Sequence, residues 1–383
     1  MTSTKKIFII IFFLAAVFSS YGERLGLKGY QDFTIDFPEG FYVYDMTSDG
    51  KSIQLVSDEH PVNALLRIYN YGKYGSSRRC MDDSLSRLGI KASPVEVDWR
   101  NQKCSFAVLS GTFFNGEHKG YAMTFTLPYD KGSVFFMTWC SKDKAAVCDN
   151  IMASTMDSVC IDTGSYYEEG IFTKWKYPDR GQLVNIELNI DGKKIQTKLF
   201  ENDDTINRYL VEREYQVLLT YSKSTKWKEA WQRYYRMIFK DTYKRLRIPA
   251  FDIYNALIPY CDDDTALAQK LLTWTQNMVY EREKTVSDFA TANSILMGGG
   301  SDCDSRSMLL AILLTHMNQD TVIFISKEFS HAMAGFVSTH PGHSFTVDGK
   351  KYLMGETTGK GLTWGKISSD MDNQSKWITV QFP

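Results

Sequence analysis

The alternation of apolar and polar residues divides this chain into three zones behind an opening apolar run at 7–18. From about 32 to 162 the pattern is strand-rich, with β-type runs at 33–37, 64–71, 105–114, 120–127 and 133–140. Two helical stretches punctuate them, one near 80–88 and one over 144–159, where Ala146, Val147, Ile151, Met152 and Met156 recur at helical spacing. Strands covered by helices predict an α+β sandwich.

The middle zone, 163–203, reads as a connection. Pro178-Asp179-Arg180-Gly181 has turn chemistry, after which Val184, Ile186, Leu188 and Ile190 alternate up to Asp191-Gly192. Ile195 and Leu199 continue the alternation, so Asp-Gly is the expected tight turn of a hairpin. The hairpin is either a ribbon between two domains or part of the second domain's sheet.

In the third zone, 204–383, helices are expected over 205–221, 225–247 and 264–283. The second carries Trp227, Trp231, Tyr234, Tyr235, Ile238 and Phe239 at spacings of three and four, which gathers large aromatics on one face. Packing against a neighbouring domain is the expectation, since an exposed stripe of that size invites aggregation. An apolar helical run at 308–314 is followed by strands at 321–325, 331–337 and 351–356.

Composition narrows the classes. With 383 residues and 43% hydrophobic content the chain can bury two ordinary cores. The 44 basic residues are balanced by 45 acidic ones, which argues against nucleic acid as the main partner. Lys5 and Lys6, the apolar run and small residues at Ser19, Ser20 and Gly22 have the layout of a secretory signal peptide over 1–22. The run is short for a bilayer span. The mature chain is therefore expected outside the cytoplasmic membrane, periplasmic or extracellular, with membrane contact only if the leader stays uncleaved. No cysteine sits at the cleavage point, which argues against a lipid-anchored form.

Seven cysteines in an exported chain permit disulfides among Cys80, Cys104, Cys140, Cys148, Cys160 and Cys261. The alternative is six buried thiols. An odd count leaves one thiol over, expected to be Cys303.

Cys303 lies in Gly298-Gly299-Gly300-Ser301-Asp302-Cys303-Asp304, directly before the apolar helical run. Glycines let the backbone turn tightly and leave room for a substrate carbonyl, and Ser301 or Asp302 is placed to cap the helix. Free amides and the positive dipole end at a helix start favour a thiolate, and the Cys303 backbone NH is a candidate oxyanion donor. Downstream come His331, in Ser330-His331-Ala332-Met333, and Glu356, in Gly355-Glu356-Thr357-Thr358. A thiol, an imidazole and an orienting carboxylate are the parts of thiol acyl chemistry. The flanking Asp302 and Asp304 oppose thiolate formation unless they are directed at backbone amides. For His331 to face Glu356 their strands must pair Phe336 with Lys351. If Asp348-Gly349 were the hairpin tip between them, Lys366 would stand there instead.

A metal site is the rival chemistry, drawing on His331, His340, His343 and Glu356. It leaves the glycine-cysteine block unexplained, so no metal or cofactor is expected.

Two resemblances add to this reading. The segments Phe33-Thr34-Ile35-Asp36-Phe37-Pro38-Glu39-Gly40-Phe41 and Ile151-Met152-Ala153-Ser154-Thr155-Met156-Asp157-Ser158-Val159 resemble the start and end of PsbP-like domains, which implies the same sandwich over 23–162. Asp302-Cys303-Asp304-Ser305 with its aliphatic helix, His331-Ala332, and Tyr352-Leu353-Met354-Gly355-Glu356-Thr357-Thr358 resemble the core of transglutaminase-like bacterial cysteine hydrolases, as does the helix around Trp274-Thr275-Gln276 upstream. That likeness implies a papain-like α+β core over 204–383, the His331–Glu356 register, and Cys303 as nucleophile, His331 as base then acid and Glu356 as orienter, with Gln276 a candidate side-chain oxyanion donor. Its usual third residue is Asp, and the usual aromatic after His-Ala is here Met333. The substrate implied is a protein or peptide, including components of the cell envelope. The alternative from another class is an inactive transglutaminase-like binding module.

Overall fold

The computed structural model describes residues 16–18, 24–27, 29–282 and 286–382. Helices and antiparallel sheets make up an α+β protein, as the patterning predicts. Strand Gly132–Ser141 organises the N-terminal half: all but its last residue are buried, because it is the central strand of a seven-stranded antiparallel sheet. The order is Phe41–Met46, Ser52–Ser57, Asn63–Tyr69, Gly132–Ser141, Gly116–Leu127, Gln102–Phe113, Val95–Trp99. Helix Ser77–Arg87 covers one face, packing Cys80, Met81 and Leu85 with Phe135 and Met137. Helix Ala145–Asp157 covers the other, packing Ile151, Met152 and Met156 with Phe125 and Phe136.

The run at 33–37 does not join this sheet. It falls in strand Tyr30–Asp36, which pairs with Arg24–Leu27 and Val159–Cys160 in a sheet of four. The fourth member is Ala16–Phe18, inside the stretch read as a leader, with Ala16 opposite Leu27. Residues 1–15 and 19–23, with the expected cleavage point, lie outside the described residues. Among the described residues no helix is long and apolar enough to cross a membrane.

The hairpin forms as expected. Ile190 pairs with Lys193 across Asp191 and Gly192, both at positive φ (53° and 73°), the geometry of a tight two-residue turn. It is not a free ribbon, however. Leu188, Ile190, Ile195 and Leu199 are buried in the second core with Leu210, Ile253 and Leu257.

Helices Asp203–Thr220 and Trp227–Tyr243 serve both halves. Val217, Tyr221 and Ala230 pack into the N-terminal core, whereas Tyr234, Tyr235, Ile238 and Phe239 pack into the second. The expected long helix instead stops at Tyr243, passes through a 3-10 turn, and restarts as Arg247–Leu257. Arg233 and Arg236 point from the central helix into the N-terminal half. Arg236 donates to Asp36 at 2.8 and 2.9 Å, and the buried Arg233 donates to the Asp36 carbonyl at 2.8 Å and the Ser154 hydroxyl at 2.8 Å.

The second core closes on a five-stranded sheet ordered Ser344–Val347, Lys350–Gly355, His331–Val337, Thr321–Ser326, Ile378–Gln381. Helix Cys303–His316 lies against it. Here the expected register needs correction. Phe336 pairs with Leu353, not Lys351, a shift of two residues. Asp348-Gly349 is a hairpin tip, but its other arm is the unforeseen strand Ser344–Val347. Because side chains alternate with period two, a two-residue shift keeps Glu356 on the face of His331 and leaves their contact diagonal.

Candidate active site

Cys303 is the first residue of its helix, with Asp302 as N-cap. Asp302 accepts from the Ser305 hydroxyl at 2.8 Å. The Cys303 amide is thus among the first-turn NH groups that an α-helix leaves without an intrahelical acceptor. Gly298 makes the tight turn expected of it, and Gly299 and Gly300 meet a further need, close packing against neighbouring chain. Gly298 has φ of +94°, and a Cβ on Gly299 would come within 2.7 Å of the Ser294 hydroxyl. A Cβ on Gly300 would overlap the Glu281 side chain. The loop is tight because it runs beside residues 279–281, where Ser301 N donates to Val279 O at 3.0 Å and Glu281 N to Ser301 O at 3.2 Å. This pairing also ends the preceding helix at Gln276, seven residues short of the expected boundary at 283.

His331 Nε2 and Glu356 Oε2 are 2.6 Å apart. The imidazole and the Cys303 sulfur line the same cavity and lie close enough to act on each other, and with Nε2 engaged by Glu356, Nδ1 is the ring nitrogen left for the sulfur. The ring is mostly buried and has Trp377 edge-on at 6.3 Å. Burial pulls the imidazole pKa down, but the neighbouring Cys303 sulfur, the hydrogen bond to Glu356 and the Glu356 charge outweigh it and hold the value at about 10. Burial likewise pushes Glu356 up, and the hydrogen bonds and charge from His331 with those from Thr358 bring it to about 2. The pair is therefore an imidazolium and a carboxylate at neutral pH.

A glutamate here has a longer chain to immobilise than an aspartate would. The structure holds it from the far side. Glu356 Oε1 accepts from Thr358 N at 2.7 Å, Thr358 Oγ1 at 2.6 Å and Gly359 N at 3.2 Å.

Gln276 requires a correction. Its side-chain nitrogen donates to the carbonyls of Glu356 at 2.9 Å and Leu362 at 3.0 Å, and its oxygen accepts from Gly361 N at 3.1 Å. With its donors committed to main chain, it anchors the Glu356 loop and is not presented to an oxyanion. Gln276→Leu should leave these buried groups unpaired, at about 1–3 kcal/mol. Urea unfolding will show that loss, and Cys303 alkylation should slow with it through the loosened Glu356. A variant of unchanged stability would contradict the anchoring role.

Contributors beyond the expected residues come from several elements. Buried Arg306, one turn after the nucleophile, donates to the Ser301 hydroxyl at 3.0 Å, to Met278 O at 2.9 Å and to Thr357 O at 3.4 Å, and so ties both loops to the helix. Tyr235 donates to Asp304 at 2.8 Å. Burial, with Asp302 beside it, raises the Asp304 carboxyl well above the usual carboxylate range, which lessens the negative charge next to the thiol. Trp231, Tyr235, Arg282 and Lys327 line a cavity of about 240 Å³ that exposes Cys303 and His331. The available signals were an arginine just before the apolar run at 308–314 and a tyrosine on the aromatic face of the helix expected over 225–247.

The other histidines stand apart. His340 is 3.6 Å from Asp263 and His343 is 3.0 Å from Asp372. Among the described residues no group of three or more His, Cys, Asp or Glu is placed to hold a metal ion.

No family model matches this chain. No curated protein matches it either. Among solved structures it is similar to a point mutant of the protein Mog1, at 9% identity and TM-score 0.27, covering 37% of this chain and 96% of that one. It is similar also to a structure from Bacteroides thetaiotaomicron, at 10% identity and TM-score 0.24, covering 58% of this chain and 75% of that one. Likenesses this slight carry no functional argument.

Proposed function

We propose that this chain is an exported thiol acyl-transfer enzyme of transglutaminase-like type, a cysteine peptidase or amidase that cleaves peptide or isopeptide bonds through an acyl-Cys303 intermediate. The observation that carries the reading is the grouping of Cys303, His331 and Glu356, with His331 hydrogen-bonded to Glu356 and sharing an open cavity with the Cys303 thiol at its helix start. An N-terminal PsbP-like domain and a papain-like core are part of the same reading. The sheet covered by helices supports the first, and the nucleophile helix packed on an antiparallel sheet supports the second.

In this mechanism the Cys303 sulfur attacks the carbonyl carbon, and the oxyanion takes a hydrogen bond from the Cys303 backbone amide. His331 then gives its Nδ1 proton to the departing amine, and the acyl group stays on sulfur. Water enters, loses a proton to Nδ1, attacks the thioester and releases the acid. Glu356 holds the ring throughout. Proton transfer of this kind contributes about 10²- to 10⁴-fold.

The test is to incubate the full chain with cell-envelope extract, quench in acid and measure the mass of the Cys303 peptide. An acyl adduct absent from Cys303→Ser is the expected result and identifies the substrate. Peptide that gains no mass from any extract would favour the binding module. Intact mass of the native N-terminus checks export, with cleavage near Gly22 expected.

A further inference from the structure

We infer that Cys140 and Cys148 are partners in a disulfide bond that fixes helix Ala145–Asp157 to the central strand of the N-terminal sheet, and that this structure shows the pair in its reduced form. Cys140 is the penultimate residue of strand Gly132–Ser141, and Cys148 lies in the first turns of the helix that follows a 3-10 turn at Lys142–Lys144. Both side chains are buried in the same core, where helix Ala145–Asp157 packs directly on strand Gly132–Ser141, and the two sulfurs lie near enough to act on each other's ionisation. The other thiols are occupied elsewhere. Cys104, Cys160 and Cys261 donate to the carbonyls of Trp99, Ser158 and Leu257, Cys80 is buried in the separate core on the other face of the sheet, and Cys303 shares its cavity with His331.

The chemistry is exchange with a disulfide of another molecule, RSSR, of small-thiol or protein class. The Cys148 thiolate attacks one sulfur of RSSR, forming a mixed disulfide and releasing RS⁻, which takes up a proton. The Cys140 thiolate attacks the Cys148 sulfur, the second RS⁻ departs with the other proton, and the two cysteines have given two electrons to RSSR. Both sulfurs are buried in the folded chain, so exchange takes place before strand and helix close on each other.

The bond has a structural consequence. Helix Ala145–Asp157 presents Ser154 to Arg233 and Asp157 to Arg213 at 2.7 Å, so it is the platform on which the two long helices of the second half rest. The central helix carries Trp231 and Tyr235 of the cavity on another face. Bracing the platform braces the wall of the cleft.

The test is to refold the full chain with glutathione disulfide, block free thiols with N-ethylmaleimide in acid-quenched denaturant, and map the peptides after proteolysis that separates Cys148 from Cys160. Five blocked cysteines and one linked Cys140–Cys148 species are expected. Reductant should lower the melting temperature by about 5 °C. The double variant Cys140→Ser/Cys148→Ser should melt near the reduced protein and no longer respond to reductant. Seven blocked thiols, a link to any other cysteine, or a double variant still sensitive to reductant would each overturn the inference.

Discussion

At pH 6, iodoacetamide will alkylate Cys303 about 10²-fold faster than any other thiol of the folded chain, and His331→Ala will remove that lead. An ordinary thiol near pKa 8.5 is less than about 1% ionised at this pH, so a large rate advantage requires a thiolate held by a neighbouring cation. His331 supplies it. Its pKa of about 10 means the imidazolium is present throughout the acidic and neutral range and is lost only as pH rises through that value. The competing thiols are disfavoured, since burial pushes Cys80 and Cys104 up to about 12 and raises Cys160 and Cys261. Cys148 alone is shifted down, by the Cys140 thiol beside it, but it is sealed in the N-terminal core. Glu356→Gln isolates the third member. A hydrogen bond to a charged group contributes about 1.5–3 kcal/mol, so losing the carboxylate should lower the His331 pKa by about one to two units. The alkylation rate should fall accordingly while the fold survives. Equal rates for all accessible thiols would leave the inactive binding module as the better reading.

The parts of this site that the sequence reveals are those written in adjacent residues. Three glycines, a capping aspartate and an apolar run place Cys303 at a helix start, and Asp191-Gly192 between alternating strands writes its own turn. His331 and Glu356 were identifiable by type and order. Their register was not, because strand Ser344–Val347 takes up the Asp348-Gly349 hairpin and moves the pairing by two residues. The even shift spared the site. Gln276 and Arg306 escaped for a different reason: each acts through main-chain groups supplied by distant loops, and helical periodicity says nothing about which carbonyls a folded loop will present. The buried charges between the two halves were hidden in the same way. Arg213, Arg233 and Arg236 on amphipathic helices look like solvated faces until the N-terminal half of the chain is placed against them.

Those charges set the second large effect. Arg236→Ala should destabilise the protein by about 3–5 kcal/mol at pH 7, because it removes the bidentate partner of a buried carboxylate and leaves Asp36 with Arg24 at 3.8 Å. Chemical denaturation will show a lower midpoint at unchanged slope. The pH dependence separates this cause from simple loss of packing. In the native chain burial opposes ionisation of Asp36, but Arg236, Arg24 and Arg233 outweigh it and hold the carboxyl far below its ordinary value. A depressed folded pKa gives stability that is present above the unfolded value of about 3.9 and is lost as pH falls below it. In the variant the buried carboxyl gains from protonation, so the gap between the two proteins should narrow from pH 5 to pH 3. The double variant Asp36→Asn/Arg236→Met should recover most of the loss, because no uncompensated charge remains. A constant gap across pH, or a double variant as unstable as Arg236→Ala, would mean that the arginine acts by its bulk. Cys303 alkylation in folded Arg236→Ala should stay close to the native rate, since this ion pair holds the two halves together and does not touch the thiol.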